Sequence, residues 1–253
     1  MKVLILCGGK GLRMKELTED GPKPLARIGN KPMLWHIMKT YYAYGFKDFV
    51  LLLGYKGDKV KEYFMDYEWK NSSFVLNEDG SYEIFKQPEK WSITFLDTGL
   101  ETMTGGRIAK AKDIVGDEPF MLTYGDGLAD INLNDLLKFH KDSGKIATVT
   151  GIQKQNQYGV LRVEDHIAVD FIEKPPSKDI INGGFFVCNK EIFNYVKDDE
   201  DCIFEREPMV GLAKDKQLAV YEHKGFWTAI DTYKDITDAN SIWNKNEALW
   251  RVW

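Results

Sequence analysis

The order of apolar and polar residues divides the chain into two parts with different patterns. Up to about residue 145, short continuous apolar runs alternate with segments in which apolar residues recur at helical spacing. The first pattern is typical of buried parallel strands, and the second is typical of helices packed on a sheet. This alternation favours an α/β fold with a doubly wound parallel sheet. The predicted strands are 3–7, 48–54, 92–96 and 119–123, and the predicted helices are 33–44, 56–64 and 107–114.

The second part of the chain shows more strands and fewer helices. No stretch rich in proline, glycine and serine separates it from the first part. We therefore predict a single domain over 1–253, in which halves of about 1–145 and 146–253 share one sheet. Strands are predicted at 147–152, 160–163, 167–172, 184–187 and 218–223, and helices at 191–196, 208–214 and 232–249.

Composition and charge exclude several classes of protein. The chain has 253 residues, and its 43% of hydrophobic residues is too high for an intrinsically disordered protein. Lys and Arg number 34 against 39 Asp and Glu, and the net charge of −5 argues against a nucleic-acid partner. No apolar run reaches membrane length, and the three cysteines form no CxxC spacing. We therefore expect a cytoplasmic protein that binds neither nucleic acid nor a membrane.

A glycine-rich loop, Gly8-Gly9-Lys10-Gly11-Leu12-Arg13, directly follows the first predicted strand. Glycines at the carboxyl end of such a strand let the backbone approach a ligand, and their amide groups can bind phosphate oxygens. Neither the Walker A pattern nor the dinucleotide fingerprint fits, because Leu12 and Met14 stand where those motifs need other residues. A tight turn that serves only the fold is the alternative. Arg13 and Lys23 favour phosphate binding, since two cations beside the loop suit a polyphosphate.

Asp126 and Asp231 are the candidate metal ligands. Asp126 lies between two glycines at the end of an apolar strand, and Asp231 ends a strand-like segment before the last helix. Mg²⁺ is commonly held by one or two carboxylates together with phosphate oxygens and water. The alternatives are an Asp-Gly turn at Asp126 and a helix N-cap at Asp231. The sequence does not show whether the two side chains meet.

A third group of polar residues follows the strand that ends near Ile172. Lys174 can bind an acceptor phosphate, whereas Glu173 and Asn182 can accept or donate hydrogen bonds to hydroxyl groups. A surface ion pair at a proline-stopped strand, followed by a glycine turn, is the alternative interpretation.

These motifs occur together and in order, and with them the sequence resembles the sugar-phosphate nucleotidyltransferases. Within that family it is most similar to the glucose-1-phosphate cytidylyltransferases. The resemblance spans essentially the whole chain, and the segments that carry it are 34–39, 54–57, 97–99, 102–107, 122–127, 181–187, 205–208, 223–227 and 251–253. It implies a Rossmann-like, doubly wound, mostly parallel mixed sheet of the nucleotide-diphospho-sugar transferase type. The two halves are then a nucleotide-binding half and an acceptor-binding half of one catalytic domain.

The resemblance also implies a reaction and a set of site residues. The implied reaction is the transfer of CMP from CTP to a small phosphorylated acceptor, with Mg²⁺ as cofactor and pyrophosphate as the second product. The catalytic residues implied are Arg13, Lys23 and Asp126, and the metal ligands are Asp126 and Asp231. The nucleotide-binding residues implied are Leu6, Gly8, Gly9, Gly11, Arg13, Lys23, Thr104, Gly105, Gly106 and Arg107. The acceptor-binding residues implied are Tyr124, Gly125, Glu173, Lys174, Asn182 and Gly183.

Three departures from the family pattern concern the acceptor more than the nucleotide. Leu12 stands where the family has Thr, Thr228-Ala229 stands where it has Gln-Pro, and residues 77–90 match poorly. Glucose 1-phosphate is the expected acceptor, for surface polysaccharide or capsule synthesis. Phosphorylated glutamine, an acceptor used by relatives in capsule phosphoramidate synthesis, is the alternative.

Two other classes of function stay open at this point. A catalytically silent nucleotide-binding regulatory protein would keep the fold, and a Rossmann dehydrogenase is weakened by the failed fingerprint. We also expect a homo-oligomer, with Trp243, Trp250 and Trp253 able to form either core or interface.

Overall fold

Sixteen strands are present in the parts of the chain that the computed structural model describes, which are residues 1–11, 21–85, 89–155, 159–173 and 176–253. The four strands predicted before residue 145 are present to within a residue or two. The short strands at 27–28, 31–32, 74–76, 82–84 and 127–129 were not predicted. The strands are β1 (Lys2–Leu6), β2 (Arg27–Ile28), β3 (Lys31–Pro32), β4 (Asp48–Leu53), β5 (Phe74–Leu76), β6 (Tyr82–Ile84), β7 (Ser92–Asp97), β8 (Phe120–Tyr124), β9 (Gly127–Ala129), β10 (Ala147–Gln155), β11 (Val160–Glu164), β12 (Ile167–Ile172), β13 (Pro176–Asn182), β14 (Phe186–Cys188), β15 (Leu218–His223) and β16 (Trp227–Ala229).

One mixed sheet of eight strands organises the fold. Its continuous path runs β13-β10-β14-β8-β1-β4-β7, and β15 pairs with the other edge of β10. The pairs β1–β4, β1–β8, β4–β7 and β10–β15 are parallel. Only β13 and β14, within the described sheet, run antiparallel to their neighbours. The expected doubly wound, mostly parallel mixed sheet is therefore confirmed.

The alternating side chains of the central strands enter two separate cores. Val3 and Ile5 of β1 face one core with Phe49 of β4, whereas Leu4 and Val50 face the other. Successive side chains of a strand point to opposite faces, so a strand covered by helices on both faces is apolar throughout. This explains why the central strands read as continuous apolar runs.

Eight α-helices are present among the described residues, and most lie where apolar residues at helical spacing predicted a helix. They are α1 (Met33–Ala43), α2 (Gly57–Met65), α3 (Tyr67–Lys70), α4 (Thr104–Ala109), α5 (Lys112–Val115), α6 (Leu133–Ser143), α7 (Glu207–Lys214) and α8 (Tyr233–Asn244); short 3₁₀ helices lie at Lys23–Leu25 and Lys190–Asn194.

Three helix predictions need correction. The single helix expected at 107–114 is two helices, because Ala111 N–H bonds to the Ile108 carbonyl in a tighter turn between them. The helix expected at 191–196 is a 3₁₀ helix. The last helix ends near Asn244 instead of Leu249, since Asn246 adopts the left-handed conformation (φ +58°) and closes the helix end.

The sequence prediction missed helix α6 and strand β13. Helix α6 begins at Asn132, whose Oδ1 accepts from the amides of Asn134 and Asp135, and ends at Gly144 with φ +60°. An asparagine N-cap and a left-handed glycine after the last turn were both readable signals. Strands β13 and β14 both pair with β10 and are separated only by residues 183–185.

The carboxy-terminal tryptophans contribute to the core. Trp250 is completely buried and packs against Phe226 and Trp243. Trp243 and Trp253 are partly buried against the same core. Within the described ranges, none of the helices combines the length and the apolar character that crossing a lipid bilayer requires. The division into two halves at about residue 145 stays a prediction.

Candidate functional site

The candidate site lies where the connections on the sheet change direction. Strands β4 and β7 lie on one side of β1, and β8 lies on the other. In open α/β sheets, ligands bind beyond the carboxyl ends of the strands at this switch point. Leu6 of β1 is paired with Tyr124 of β8, and the Gly125 amide donates to the Leu6 carbonyl at 3.1 Å. A Cβ atom on Gly125 would lie 2.7 Å from that carbonyl oxygen, so the close approach of the two strand ends requires glycine here.

A short second ladder brings Asp126 and Asp231 together across 105 residues of chain. Strands β9 and β16 pair with Ala229 opposite Gly127, and the Ile230 amide donates to the Asp126 carbonyl at 2.9 Å. Each aspartate flanks this ladder, so both carboxylates reach the same point. The sequence left open whether these side chains meet, and the structure places them around one ammonium group.

That ammonium group belongs to Lys23. Its Nζ lies 2.6 Å from Asp126 Oδ2 and 2.8 Å from Asp231 Oδ1. The Lys23 side chain is 13% exposed. Burial alone would lower the pKa of Lys23, but the charges and hydrogen bonds of the two aspartates more than offset it and raise that pKa. Lys23 is therefore a cation held between two carboxylates at the end of the sheet.

Asp231 is not the N-cap of the last helix. Thr232 takes that position, since its hydroxyl accepts from the Asp235 amide and the Asp235 carboxylate accepts from the Thr232 amide. This capping box satisfies the start of α8 without Asp231. The Asp231 carboxylate is thus left for Lys23, which removes the alternative interpretation of this residue.

The two aspartates fit a magnesium ion in one specific respect. No group of three or more potential metal-ligating His, Cys, Asp or Glu side chains exists in the described part of the chain, so no site made of protein ligands alone is found there. Mg²⁺ commonly takes one or two carboxylates and completes its shell with phosphate oxygens and water. A pair of converging carboxylates beside the glycine-rich loop suits this kind of coordination, in which phosphate oxygens of a substrate and water complete the shell of the ion.

A cavity of about 440 Å³ adjoins this cluster and contains the glycine loop. Its size lies within the range that is usual for small-molecule sites. Lys10 and Glu101 cross it as an ion pair, with Lys10 Nζ 2.6 Å from Glu101 Oε1. The residues around the cavity are Gly8, Gly9, Lys10, Gly11, Lys23, Leu100, Glu101, Thr102, Met103, Arg107 and Asp231. Leu6 is the last residue of β1 and lies two residues before Gly8, at the start of the loop.

Arg107 connects several backbone segments beside this cavity. Its side chain is almost completely buried, and its guanidinium donates to backbone carbonyl groups at distances of 2.8–3.3 Å. A Cβ atom on Gly8 would lie 2.2 Å from the Arg107 guanidinium. Arg107 thus joins the loops after three parallel strands. The carbonyls that accept from it are those of Gly8, Leu53, Gly99 and Leu100, and the Thr98 hydroxyl also accepts.

Thr104, Gly105 and Gly106 face the segment before α7. The amides of both glycines donate to the Cys202 carbonyl, at 2.8 and 3.1 Å. A Cβ atom on Gly105 would lie 2.5 Å from Cys202 Sγ, and one on Gly106 would lie 2.3 Å from the Asp199 carbonyl oxygen. These glycines therefore allow close packing of two chain segments. Their predicted closure over a nucleotide base stays a prediction.

Two of the predicted acceptor-binding residues, Tyr124 and Asn182, meet through a hydrogen bond. Asn182 Nδ2 donates to the Tyr124 hydroxyl at 3.0 Å, and the Tyr124 hydroxyl donates to Glu205 Oε1 at 2.6 Å. Gly183 is buried next to Asn182, and its carbonyl accepts from Trp227 Nε1 at 2.8 Å. Burial raises the pKa of Tyr124, and the charge of Glu205 raises it further. The Tyr124 hydroxyl is therefore a protonated donor at neutral pH.

Of the three predicted site residues that remain, the structure describes only Glu173. Glu173 is exposed directly after β12, in the hairpin β11–β12, and its Oε2 lies beside Gly159. Arg13 and Lys174 lie outside the described residues. Their predicted contacts with phosphate groups stay predictions.

Sequence reasoning missed Glu205, Lys10 and Glu101 as site residues. Glu205 bonds to both Tyr124 and Thr104, with Oε2 accepting from the Thr104 hydroxyl at 2.7 Å. An acidic residue before Pro208 in a polar segment resembles an ordinary helix start, so no local pattern distinguishes it. Lys10 carried a signal, since it lies inside the glycine loop, but its partner 91 residues away did not.

Comparison with known proteins identifies the class. The family model described as nucleotidyl transferase matches residues 2–249 of the chain. The chain therefore belongs to the nucleotidyl transferase family. It is 58% identical, over the full length of both chains, to a probable glucose-1-phosphate cytidylyltransferase of Bacillus subtilis. It is 40% identical, again over both full lengths, to the glucose-1-phosphate cytidylyltransferase of Salmonella typhi. The resemblance found in the sequence motifs is confirmed.

Solved structures share the fold at much lower identity. A putative glucose-1-phosphate thymidylyltransferase from Bacillus anthracis matches with a TM-score of 0.69 and 20% identity, over 96% of this chain and 94% of that one. A UDP-glucose pyrophosphorylase bound to UDP-glucose matches with a TM-score of 0.70 and 18% identity, over 97% and 98%. These likenesses establish the nucleotide-diphospho-sugar transferase fold.

Proposed function

We propose that this nucleotidyltransferase is a Mg²⁺-dependent cytidylyltransferase that transfers CMP from CTP to glucose 1-phosphate. The observation that carries the proposal is the convergence of Lys23, Asp126 and Asp231 beside the glycine-loop cavity. The choice of CTP and glucose 1-phosphate is supported by the names of the two relatives that match over the full length of the chain. The product is CDP-glucose, and pyrophosphate is released.

The reaction is a displacement at phosphorus that needs placement and charge rather than a covalent intermediate. An oxygen of the acceptor phosphate forms a bond to the α-phosphorus of CTP, while the bond from that phosphorus to the leaving pyrophosphate oxygen breaks. Two polyanions must be held in line, and the charge on the leaving group must be neutralised. Bound Mg²⁺ supplies charge neutralisation on the phosphate oxygens. The residues that would hold it are Asp126 and Asp231.

The residues of this chain divide the remaining work. The amides of Gly8, Gly9 and Gly11 and the cations Arg13 and Lys23 bind the triphosphate. Lys23 also orients both carboxylates through its two ion pairs. On the acceptor side, Lys174 binds the phosphate, and Tyr124, Glu173 and Asn182 bind hydroxyl groups. We further propose that the product is made in the cytoplasm as a precursor for surface polysaccharide.

Pyrophosphate release tests the proposal directly. The purified protein is incubated with Mg²⁺, one of CTP, UTP or dTTP, and one of glucose 1-phosphate or phosphorylated glutamine. We expect pyrophosphate chiefly from CTP with glucose 1-phosphate. Higher turnover with phosphorylated glutamine would assign the capsule phosphoramidate reaction instead. A folded protein that binds CTP without releasing pyrophosphate from any acceptor would be a silent regulatory protein, and the proposal would be wrong.

A further inference from the structure

A row of four hydrogen-bonded side chains joins the two sides of the candidate site. Asn182 donates to Tyr124, and Tyr124 donates to one carboxylate oxygen of Glu205. The Thr104 hydroxyl donates to the other oxygen and accepts from the Phe204 amide at 2.9 Å. Tyr124 and Asn182 were predicted on the acceptor side and Thr104 on the nucleotide side. Glu205 is thus the group through which the two sides are linked.

Glu205 also brings a negative charge to the acceptor side. Its side chain is exposed, and the partners recorded for it are two neutral hydroxyl groups. No lysine or arginine in the described ranges forms an ion pair with it, whereas its neighbour Glu207 pairs with Lys197. An ionised carboxylate offers about four lone-pair positions, so two stay open after both hydroxyl bonds are made.

We propose that Glu205 determines which acceptors are accepted. Its carboxylate accepts hydrogen bonds from the hydroxyl groups of a neutral sugar phosphate. It repels an acceptor of the same shape that carries a carboxylate of its own. Hydrogen bonds to a charged group are about twice as strong as neutral ones, and like charges brought close together disfavour binding. The inference rests on the proposed cytidylyltransferase function and adds a selection rule to it.

Two matched acceptors test the rule in the unmodified protein. Glucose 1-phosphate and glucuronic acid 1-phosphate differ only in a hydroxymethyl group and a carboxylate. With CTP and Mg²⁺, we expect kcat/KM to be at least about tenfold higher for glucose 1-phosphate. Equal values, or a preference for the glucuronic acid compound, would overturn the inference while leaving the cytidylyltransferase function in place. No pyrophosphate from either acceptor, or from phosphorylated glutamine, would overturn the proposed function itself.

Substitution of Glu205 separates its charge from its shape. In Glu205→Gln we expect the preference between the two acceptors to fall at least about fivefold, because the like-charge repulsion is gone. The KM for glucose 1-phosphate should rise, and the KM for CTP should change little. Glu207→Gln, two residues further on and also exposed, is the matched control and should keep the full preference. A preference that Glu205→Gln leaves unchanged would contradict the assignment.

Tyr124→Phe tests whether the charge of Glu205 or the row of hydrogen bonds selects the acceptor. This variant removes the bond to Glu205 but keeps its carboxylate. We expect kcat/KM to fall for both acceptors by a similar factor, with the preference retained. If Tyr124→Phe abolished the preference as Glu205→Gln does, the row of hydrogen bonds and not the charge would select the acceptor. Thermal unfolding identifies any variant that does not fold. In that case the comparison of glucose 1-phosphate with glucuronic acid 1-phosphate in the wild-type protein tests the inference.

Discussion

Two cations, the partly buried Lys23 and the buried Arg107, line the same cavity, and the part of the cavity wall around each differs in the partners of its cation. Lys23 lies between two carboxylates, whereas Arg107 donates to backbone carbonyls and one hydroxyl. A carboxylate pair can exchange one cation for another, so the Lys23 wall suits a substrate with its metal ion. Backbone carbonyls at a loop junction need a permanent donor, because leaving them unpaired in the interior is costly. We infer that the first wall serves the reaction and the second wall serves the fold.

Removing a carboxylate from the Lys23 wall should have the largest effect. We expect Asp126→Asn and Asp231→Asn to lower kcat by about 10³-fold or more, because each loses a carboxylate ligand for the metal ion that neutralises the triphosphate. Both variants should unfold close to the wild-type temperature. Pyrophosphate release measures the change, and Asp117→Asn, at an exposed ion pair with Lys190, is the control. Near-normal turnover in either site variant would refute the metal assignment.

Removing the cation from the same wall should expose the carboxylate pair to metal ions. We expect Lys23→Met to lower kcat by about 10²- to 10³-fold through the loss of charge near the leaving group. Without nucleotide, Mg²⁺ should raise the unfolding temperature of Lys23→Met more than that of the wild type, since the ion then replaces the missing ammonium. Differential scanning fluorimetry measures both shifts. Equal shifts in the two proteins would mean that the carboxylates do not hold the ion.

Truncating the cation of the other wall should act on stability. In Arg107→Met the carbonyls of Gly8 and Leu53 keep the amides of Tyr55 and Thr98 as donors, whereas those of Gly99 and Leu100 have no other donor among the described residues. We expect the free energy of unfolding to fall by about 2 to 5 kcal/mol. Urea denaturation gives the value. Arg162→Met removes an exposed arginine and should change the free energy of unfolding by less than about 1 kcal/mol. If Arg107→Met kept full stability and lost only CTP binding, the contrast between the walls would be wrong.

The ion pair that crosses the cavity should have a smaller effect. Glu101→Gln releases Lys10 and removes a negative charge from beside the triphosphate site, so we expect CTP affinity to rise about two- to fivefold. Isothermal titration calorimetry at low and high salt measures it, and the gain should shrink at high salt. Glu62→Gln, at an exposed pair outside the cavity, should leave the affinity unchanged. A lower affinity in Glu101→Gln would show that this pair helps to form the nucleotide site.

The smallest effect is expected at alkaline pH, where the contributions of Lys23 and Arg107 to stability should depend differently on pH. The partners of Lys23 raise its pKa above the ordinary 10.5, so its stabilising contribution is complete below pH 10.5 and is lost as pH rises through the raised value. Any stability difference between wild type and Lys23→Met should therefore narrow above pH 10.5. Burial lowers the pKa of Arg107 from its ordinary value, but a guanidinium keeps its charge in proteins, so the difference between wild type and Arg107→Met should persist. Chemical denaturation across this pH range tests both statements, and parallel curves for the two variants would contradict them.

The central sheet was predictable because its strands are buried on both faces. Strands such as β1, β4 and β8 need apolar side chains at every position, and that demand is visible in a single sequence. Strand β13 was missed because it begins Pro176-Ser177-Lys178-Asp179 directly after a second proline, a composition that is typical of a turn or loop. The exposed hairpin β11–β12 was predicted from its β-branched and aromatic content, although its strands cover no core.

The candidate site was predictable where chemistry coincides with a strand end. Asp126 follows β8 directly, and the glycine loop follows β1, so local pattern and position agree. Glu205 shows the opposite case, because its importance depends on two hydroxyl groups that are 81 and 101 residues away. Arg107 shows a third case. The resemblance predicted Arg107 as a nucleotide-binding residue, but its contacts with backbone carbonyls could not be inferred from the residue type.

The amino-acid sequence by itself determined the parallel core, the glycine-rich loop after the first strand and the family, because each depends on local spacing or on motifs kept in order. Tertiary structure alone decided that Asp126 and Asp231 share Lys23, since the β9–β16 ladder closes a loop of about one hundred residues. It also decided that Arg107 fastens three loops and that Glu205 links Tyr124 to Thr104. The physical reason is that hydrogen bonds and ion pairs act over about 3 Å, and only the folded chain determines which distant groups come that close.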